Sequence, residues 1–367
     1  MREKFKSLVV KAAECHELTK DELVYVLQPE DQEEREFLFK KADEVRQNYC
    51  GTDVHLRGII EFSNICERNC LYCGLRRDNK RLNRYRIPEE EVLEAAAGAY
   101  RLGYKTIVLQ SGEDSWYNAD RLCSIIRKVK EHLDVAVTLC VGERSYEDYR
   151  EFRSAGADRY LLKHETANEA LYTKLHPGMS FRNRINCLEW LKELGYQVGA
   201  GNMVGLPDQT IADLADDILF MKRMDVDMAG IGPFIPHGNT PLGKASGGTL
   251  DLTLRVLACA RLLMPLVHLP ATTAVGTLHP YGREKALQCG ANVVMPNITP
   301  SRYRKDYEIY PNKICVNEEP EHCRGCIQNR IASIGRTVAL DYGHSLKFKV
   351  RHNYKKNTSI TKKQGKS

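Results

Sequence analysis

Long apolar runs are missing from this chain. No window approaches the ~20 residues that a membrane-spanning helix needs, and residues 1–11 mix charges into their apolar positions, so they do not read as a signal peptide. The expectation is a cytoplasmic protein with no membrane partner. Acid is missing from one place only. Residues 347–367 carry 8 Lys or Arg and no Asp or Glu, so the remaining 46 basic residues face 48 acidic ones, a net of −2. The formal charge of +6 therefore belongs to the tail, and the body has no basic excess that would suit nucleic acid. Such a tail reads as solvated and disordered, with an acidic partner as the alternative. Pairing is missing among the 13 cysteines: the number is odd, and six of them fall into two tight groups, which in a cytosolic chain points to metal instead of cross-links. The other seven (Cys15, Cys50, Cys123, Cys140, Cys187, Cys259, Cys289) are scattered singly, and most read as small buried hydrophobes. A phosphate-binding glycine fingerprint is missing after the first apolar run. A cysteine loop stands there instead, which speaks against an open doubly wound sheet.

What is present is an alternation. After a charged, helical N-terminal stretch, eight apolar runs recur at 58–62, 106–110, 135–140, 159–162, 197–204, 228–234, 269–275 and 292–295. Between them lie amphipathic helical patterns at 89–102, 120–132, 181–194, 211–224 and 250–263. Strand–helix alternation repeated eight times predicts parallel strands joined by right-handed crossovers. The predicted fold is α/β, a complete (β/α)8 TIM-type barrel with its active site at the C-terminal ends of the strands. The chain then divides into an N-terminal helical extension (1–49), the barrel (50–300), a C-terminal segment closing it (301–346) and the basic tail (347–367).

The strand ends carry the chemistry. Polar and small residues follow nearly every run, among them Ser111-Gly112-Glu113-Asp114, Gly142-Glu143, His164-Glu165-Thr166, Gly205, Pro236-His237 and Thr272-Thr273. One polar loop means little, because any strand must end; the whole set argues for a catalytic face. After the first run stands Cys66-Glu-Arg-Asn-Cys70-Leu-Tyr-Cys73, a C-x3-C-x2-C pattern. Three thiolates on one short loop can converge on three irons of a 4Fe-4S cluster and leave the fourth iron open. Structural zinc would want a fourth Cys or His nearby, and 63–86 contains none. Chance spacing fits poorly, since the loop is polar and exposed thiols without a task are a liability.

With Tyr72 before the last cysteine, this loop resembles that of the radical S-adenosylmethionine (SAM) superfamily. The resemblance implies a 4Fe-4S cluster on Cys66, Cys70 and Cys73 whose open iron is chelated by SAM. The stretches NCLYCGLRRDNK (69–80), TIVLQSGED (106–114), ADRYLLKHETAN (157–168), LKELGYQVGAGNMVGLPDQT (191–210), IGPFIPHGNTPL (231–242), PATTAVGT (270–277) and ANVVMPNITPS (291–301) resemble the HydE family of iron-only (FeFe) hydrogenase maturases. The likeness covers roughly 50–330.

That resemblance implies roles. Ser111, Gly112 and Glu113 would hold the SAM amino group, Glu165 the ribose, Arg184 the methionine carboxylate and the glycine-rich end at Gly205 the adenine side, with Tyr72 a further cofactor contact. Without it, Arg184 would read as part of a solvated helix face. Thr138, Lys163, Met228, Thr272, Thr273, Met295, Tyr307 and Tyr310 match residues of the substrate cavity. Lys163 departs from the pattern, which has Arg there; the charge is kept and the planar fork is lost. Cys315, Cys323 and Cys326 resemble an accessory 2Fe-2S or 4Fe-4S site, distant from SAM and dispensable for the core chemistry, with zinc completed by His322 or His344 as the competitor. The implied function is radical SAM cleavage in building the diiron subcluster of the hydrogenase H-cluster. Its substrate would be a cysteine-bound iron carbonyl cyanide complex from a sister radical SAM maturase. The product would pass to a scaffold GTPase, and electrons would come from an external donor. Two rivals stand beside it: a methylornithine-synthase-like radical mutase, and a non-catalytic iron–sulfur or zinc module, which would have no use for a SAM pocket.

Overall fold

The computed structural model describes residues 1–347. The tail expected at 347–367 lies outside the described residues except for Lys347, whose ammonium meets the Asp225 carboxylate at 2.6 Å.

Eleven strands are found among the described residues: β1 (Asp53–Leu56), β2 (Gly58–Ser63), β3 (Thr106–Ser111), β4 (Ala136–Cys140), β5 (Arg159–Leu161), β6 (Gln197–Ala200), β7 (Met203–Val204), β8 (Met228–Ala229), β9 (Gly232–Pro233), β10 (Val293–Val294) and β11 (Thr337–Val338). Six form one parallel sheet in the order β2-β3-β4-β5-β6-β8. Every residue of β2 and β6 is buried. That explains why these strands read as continuous apolar runs: a parallel sheet covered on both faces has no solvent side to alternate with.

The five helices expected between the runs form as Glu89–Arg101, Ala119–His132, Phe181–Glu193, Ile211–Arg223 and Leu250–Leu263. Their starts are set by local chemistry. Thr210 and Asp213 make a reciprocal capping box at one start, and the side chains of Asn118, Ser180 and Thr249 cap three others. The N-terminal stretch folds as helices Glu3–Cys15, Lys20–Val26 and Gln32–Cys50, the last packed on Leu250–Leu263. Arg2 pins this unit by pairing at 2.7 Å with the fully buried Glu34 carboxylate.

One of the eight expected strands is not formed, and the last is only two residues long. The run 269–275 gives only the single bridge Pro270↔Val293, with Met228↔His268 just before it, and from Thr273 it turns into the helix Thr273–Leu278. Proline at 270 has no N–H for a ladder, and Thr272 caps the helix by accepting from the Val275 N–H. The run 292–295 contributes β10, which pairs with β1, and meets β2 only through the bridge Ile59↔Asn297.

Candidate functional site

The cysteine loop leaves the end of β2 and is tied down on several sides. The Glu67 N–H donates to the Glu113 carbonyl at 2.9 Å, the Leu71 N–H to Leu175 at 3.0 Å and the Gly74 N–H to Ile309 at 3.0 Å. The Arg84 guanidinium gathers four loop carbonyls, Asn64, Leu75, Arg76 and Asn79, at 2.6 to 3.2 Å. Glycine follows Cys73 because a Cβ at 74 would sit 1.9 Å from the Glu308 carbonyl. Cys66, Cys70 and Cys73 are each half-buried. Burial pushes the Cys73 thiol up to about 12 and raises those of Cys66 and Cys70 as well, so metal must displace their protons. Three thiols of one loop, two of them facing the same cavity, suit the sulfur donors that iron–sulfur clusters take.

After β3, Gly112 lies so close to the loop that a Cβ would meet the Ile65 carbonyl at 2.2 Å, and the Ser111 hydroxyl donates to the Gly112 carbonyl at 2.7 Å. The Glu113 carboxylate pairs with Arg68 of the cysteine loop and accepts from the Glu143 N–H at 3.1 Å. Glu143, from the loop after β4, accepts from Arg184 Nε at 2.7 Å and from Asn183 at 2.8 Å. Arg184 is therefore buried, not on a solvated face, and Nη1 donates to the Lys163 carbonyl. Burial opposes its charge, but Tyr172 and Glu143 hold it firmly charged.

Glu165 adopts a left-handed backbone, φ 67°, with its N–H donating to the Gly201 carbonyl at 2.9 Å. A non-glycine residue held there by its neighbours is the kind of strain that functional sites carry. Burial opposes its charge too, yet Lys163 at 3.1 Å, and Arg184 beyond it, hold its carboxyl below the usual range.

These elements surround a cavity of about 370 Å³. Cys70, Cys73, Tyr72 and Glu165 line it, together with Thr138, Lys163, Met228, Thr272, Thr273, Met295 and Tyr310. Ser111, Gly112, Glu113, Arg184, Gly205 and Cys66 lie off its wall. Tyr307 is buried behind the wall, 5.0 Å beneath the Lys313 ammonium. Sequence reasoning missed the buried pair Glu61–Lys313, both on the wall, with the Glu61 carboxylate also accepting from Asn297 at 2.8 Å. A charge in the middle of the apolar run of β2 was the available signal for Glu61; Lys313 offered none.

Of the three C-terminal cysteines none lines this cavity, but Cys315 is joined to its wall through neighbours. Lys313, two residues before Cys315, lines the wall. The Arg283 guanidinium reaches the Cys315 sulfur at 3.7 Å with one nitrogen and the Thr273 hydroxyl at 3.3 Å with another. Cys315 also accepts from the Cys323 thiol, which lowers the Cys315 pKa. Cys326 is exposed on the helix Pro320–Ser333. His344, one of the two ligands considered for zinc, is engaged elsewhere, 2.8 Å from Gln197 Nε2 and 3.0 Å from Arg159.

Comparison with known proteins fits this geometry. The radical SAM superfamily profile matches residues 60–221. The [FeFe] hydrogenase maturase subunit HydE of Thermotoga maritima is 54% identical over 335 residues, 91% of this chain and 96% of that protein. The 3-methylornithine synthase of Methanosarcina acetivorans is 32% identical over 79% of this chain and 82% of that protein. A crystal structure of methylornithine synthase superposes with a TM-score of 0.80 at 28% identity, covering 90% of this chain and 97% of that one. The FeFe-hydrogenase maturase HydG from Carboxydothermus hydrogenoformans shares the fold alone, with a TM-score of 0.77 at 20% identity over 91% and 79%. With a three-cysteine loop at the mouth of a lined cavity and 54% identity across 91% of its length to a curated relative of nearly equal length, the chain belongs to the HydE family of radical SAM enzymes that mature FeFe-hydrogenase.

Proposed function

We propose that this enzyme acts on a small cysteine-bound iron carbonyl cyanide complex made by a sister radical SAM maturase, and passes its product to a scaffold GTPase in assembly of the diiron subcluster. The observation that carries the reading is one cavity with Cys70, Cys73, Tyr72 and Glu165 on its wall beside Lys163, Thr272 and Thr273. It has room for a small polar substrate next to the cofactor and little more. A 4Fe-4S cluster on Cys66, Cys70 and Cys73 supplies, when bound, the one-electron cleavage of the SAM sulfonium, with the electron drawn from an external donor.

The chain's own residues do the positioning. Glu113 and the Ser111–Gly112 backbone hold the SAM amino group. Arg184 would engage the methionine carboxylate, and its pairing with Glu143 and the Lys163 carbonyl keeps that guanidinium in place. Glu165 accepts from the ribose hydroxyls, and Gly205 lies on the adenine side. Lys163 presents a point charge to the substrate. Cys315, Cys323 and Cys326 hold an accessory cluster of the 2Fe-2S or 4Fe-4S kind.

The scaffold is read as a complete (β/α)8 barrel at 50–300, with the helical extension 1–49 before it and the closing segment 301–346 after it. Support for closure comes from hydrogen bonds that join the two open edges of the six-stranded sheet. Ile59 N–H donates to Pro296 and Ile298 N–H to Ile59, both at 2.9 Å, while Ala229 N–H reaches His268 at 2.9 Å and Ala271 N–H reaches Val293 at 2.8 Å. No helix among the described residues is long and apolar enough to cross a membrane, in keeping with a cytoplasmic setting.

The test is anaerobic. Reconstituted, reduced protein should turn SAM into 5′-deoxyadenosine and restore hydrogenase activity in a coupled maturation mixture lacking HydE. Cleavage of SAM without restored hydrogenase, together with rearrangement of an amino acid, would favour the mutase, the reading for which the 0.80 superposition with methylornithine synthase speaks.

A further inference from the structure

Between Cys70 and Cys73 the loop is gripped by a short helix that none of the cofactor roles above involves. Helix Glu169–Leu175 ends in His176, whose ring is buried and stacks on Tyr172 with centroids 4.1 Å apart. Its Nδ1 lies 2.7 Å from the Tyr172 carbonyl, and its Nε2 lies 2.8 Å from the Tyr72 hydroxyl. A carbonyl can only accept, so Nδ1 carries the proton; Nε2 is then bare, and the Tyr72 hydroxyl must donate to it. Burial keeps the ring neutral, with its pKa pushed down to about 4, so this arrangement persists at neutral pH.

The same helix end holds the loop in two further ways. The Leu175 carbonyl accepts from the Leu71 N–H at 3.0 Å. Tyr72 also packs on an apolar cluster of Leu171, Leu175, Met203, Leu206 and Phe234 that is separate from the main core. Tyr72 lines the cavity and His176 does not.

We propose that His176 is a positioning residue for SAM: by accepting the Tyr72 proton it fixes that ring as a wall of the cofactor site, and with it the path of the chain between two cluster thiols. The proposal rests on the cysteine loop being the SAM site. His176 acts through Tyr72, so removing either end of the bond should have one and the same effect.

The experiment measures 5′-deoxyadenosine formation against SAM concentration in reconstituted holoenzyme, with iron content and the EPR signal of the reduced cluster with SAM bound. Tyr72→Phe removes one oxygen and leaves the packing. It should raise the KM for SAM about tenfold, the scale of one lost hydrogen bond, with kcat and iron near wild type and a shifted EPR signal. His176→Phe should give the same KM and the same signal, and the double variant should be no worse than either single one. His176→Gln, whose amide oxygen can accept, should recover most of the affinity. A wild-type KM and signal in Tyr72→Phe would overturn the proposal, as would effects that simply add in the double variant. Failure of wild-type protein to make any 5′-deoxyadenosine would sink the underlying SAM reading instead.

Discussion

Single residues decide whether the cofactor site exists. Replacing Cys66, Cys70 or Cys73 with Ser should abolish both the 4Fe-4S signal and 5′-deoxyadenosine formation, because a three-ligand site has no spare thiolate. A Cys70→Ser protein that cleaved SAM at the wild-type rate would refute the assignment. Glu165→Ala should weaken SAM binding by roughly 1–3 kcal/mol, the worth of a charge-assisted hydrogen bond left unmade, while the cluster survives. The substitution also strips Lys163 of its partner at 3.1 Å, so calorimetric titration should be paired with iron analysis. The cysteine spacing was legible in the sequence because thiolate geometry demands it. The anchor for Arg184 was not: Glu143 stands 41 residues earlier, and nothing local says that the two will meet.

Among the elements, the helices were the most legible. Amphipathic periodicity reports a buried face directly, and each of the five came out within a residue of its expected bounds. The seventh apolar run misled because an apolar run reports burial without reporting a ladder. It carries Pro270 and a capping threonine and ends as a helix. The segment bearing Cys315 is the element with most at stake, since Arg283 joins it to Thr273 on the cavity wall. A triple Ser variant of Cys315, Cys323 and Cys326 should lose iron yet keep the EPR signal of the SAM-ligated cluster and hydrogenase maturation. Given that Arg283 contact, a modest rise in substrate KM is expected as well. Full loss of SAM cleavage with the first cluster intact would overturn the accessory role.

For the molecule as a whole, buried histidines set an acid limit. Burial depresses the pKa of His176 to about 4 and that of His268 well below its ordinary 6.5. The folded state refuses protons that the unfolded chain accepts, so their contribution is present above pH 6.5 and is lost as pH falls from there toward 4. Each such group costs roughly 1.4 kcal/mol per pH unit over that window. Thermal unfolding should therefore drop steeply from pH 6.5 to 4, and less steeply in His176→Gln. A Tm that stayed flat over this range would contradict the burial of both rings. The cavity itself was beyond the reach of the sequence. Its Glu61–Lys313 pair spans 252 residues, a contact that exists only once β2 and the C-terminal segment have come together.

The four carbonyls gathered by Arg84 have a consequence for the life of the enzyme in the presence of oxygen. A loop whose backbone is fastened by an arginine, rather than by its iron, keeps its shape when the iron is gone. Oxidative loss of the cluster should then leave an emptied socket in an otherwise folded molecule. Iron and sulfide returned under reducing conditions should restore function without a chaperone or new synthesis, and circular dichroism of the iron-free protein should match that of the holoenzyme.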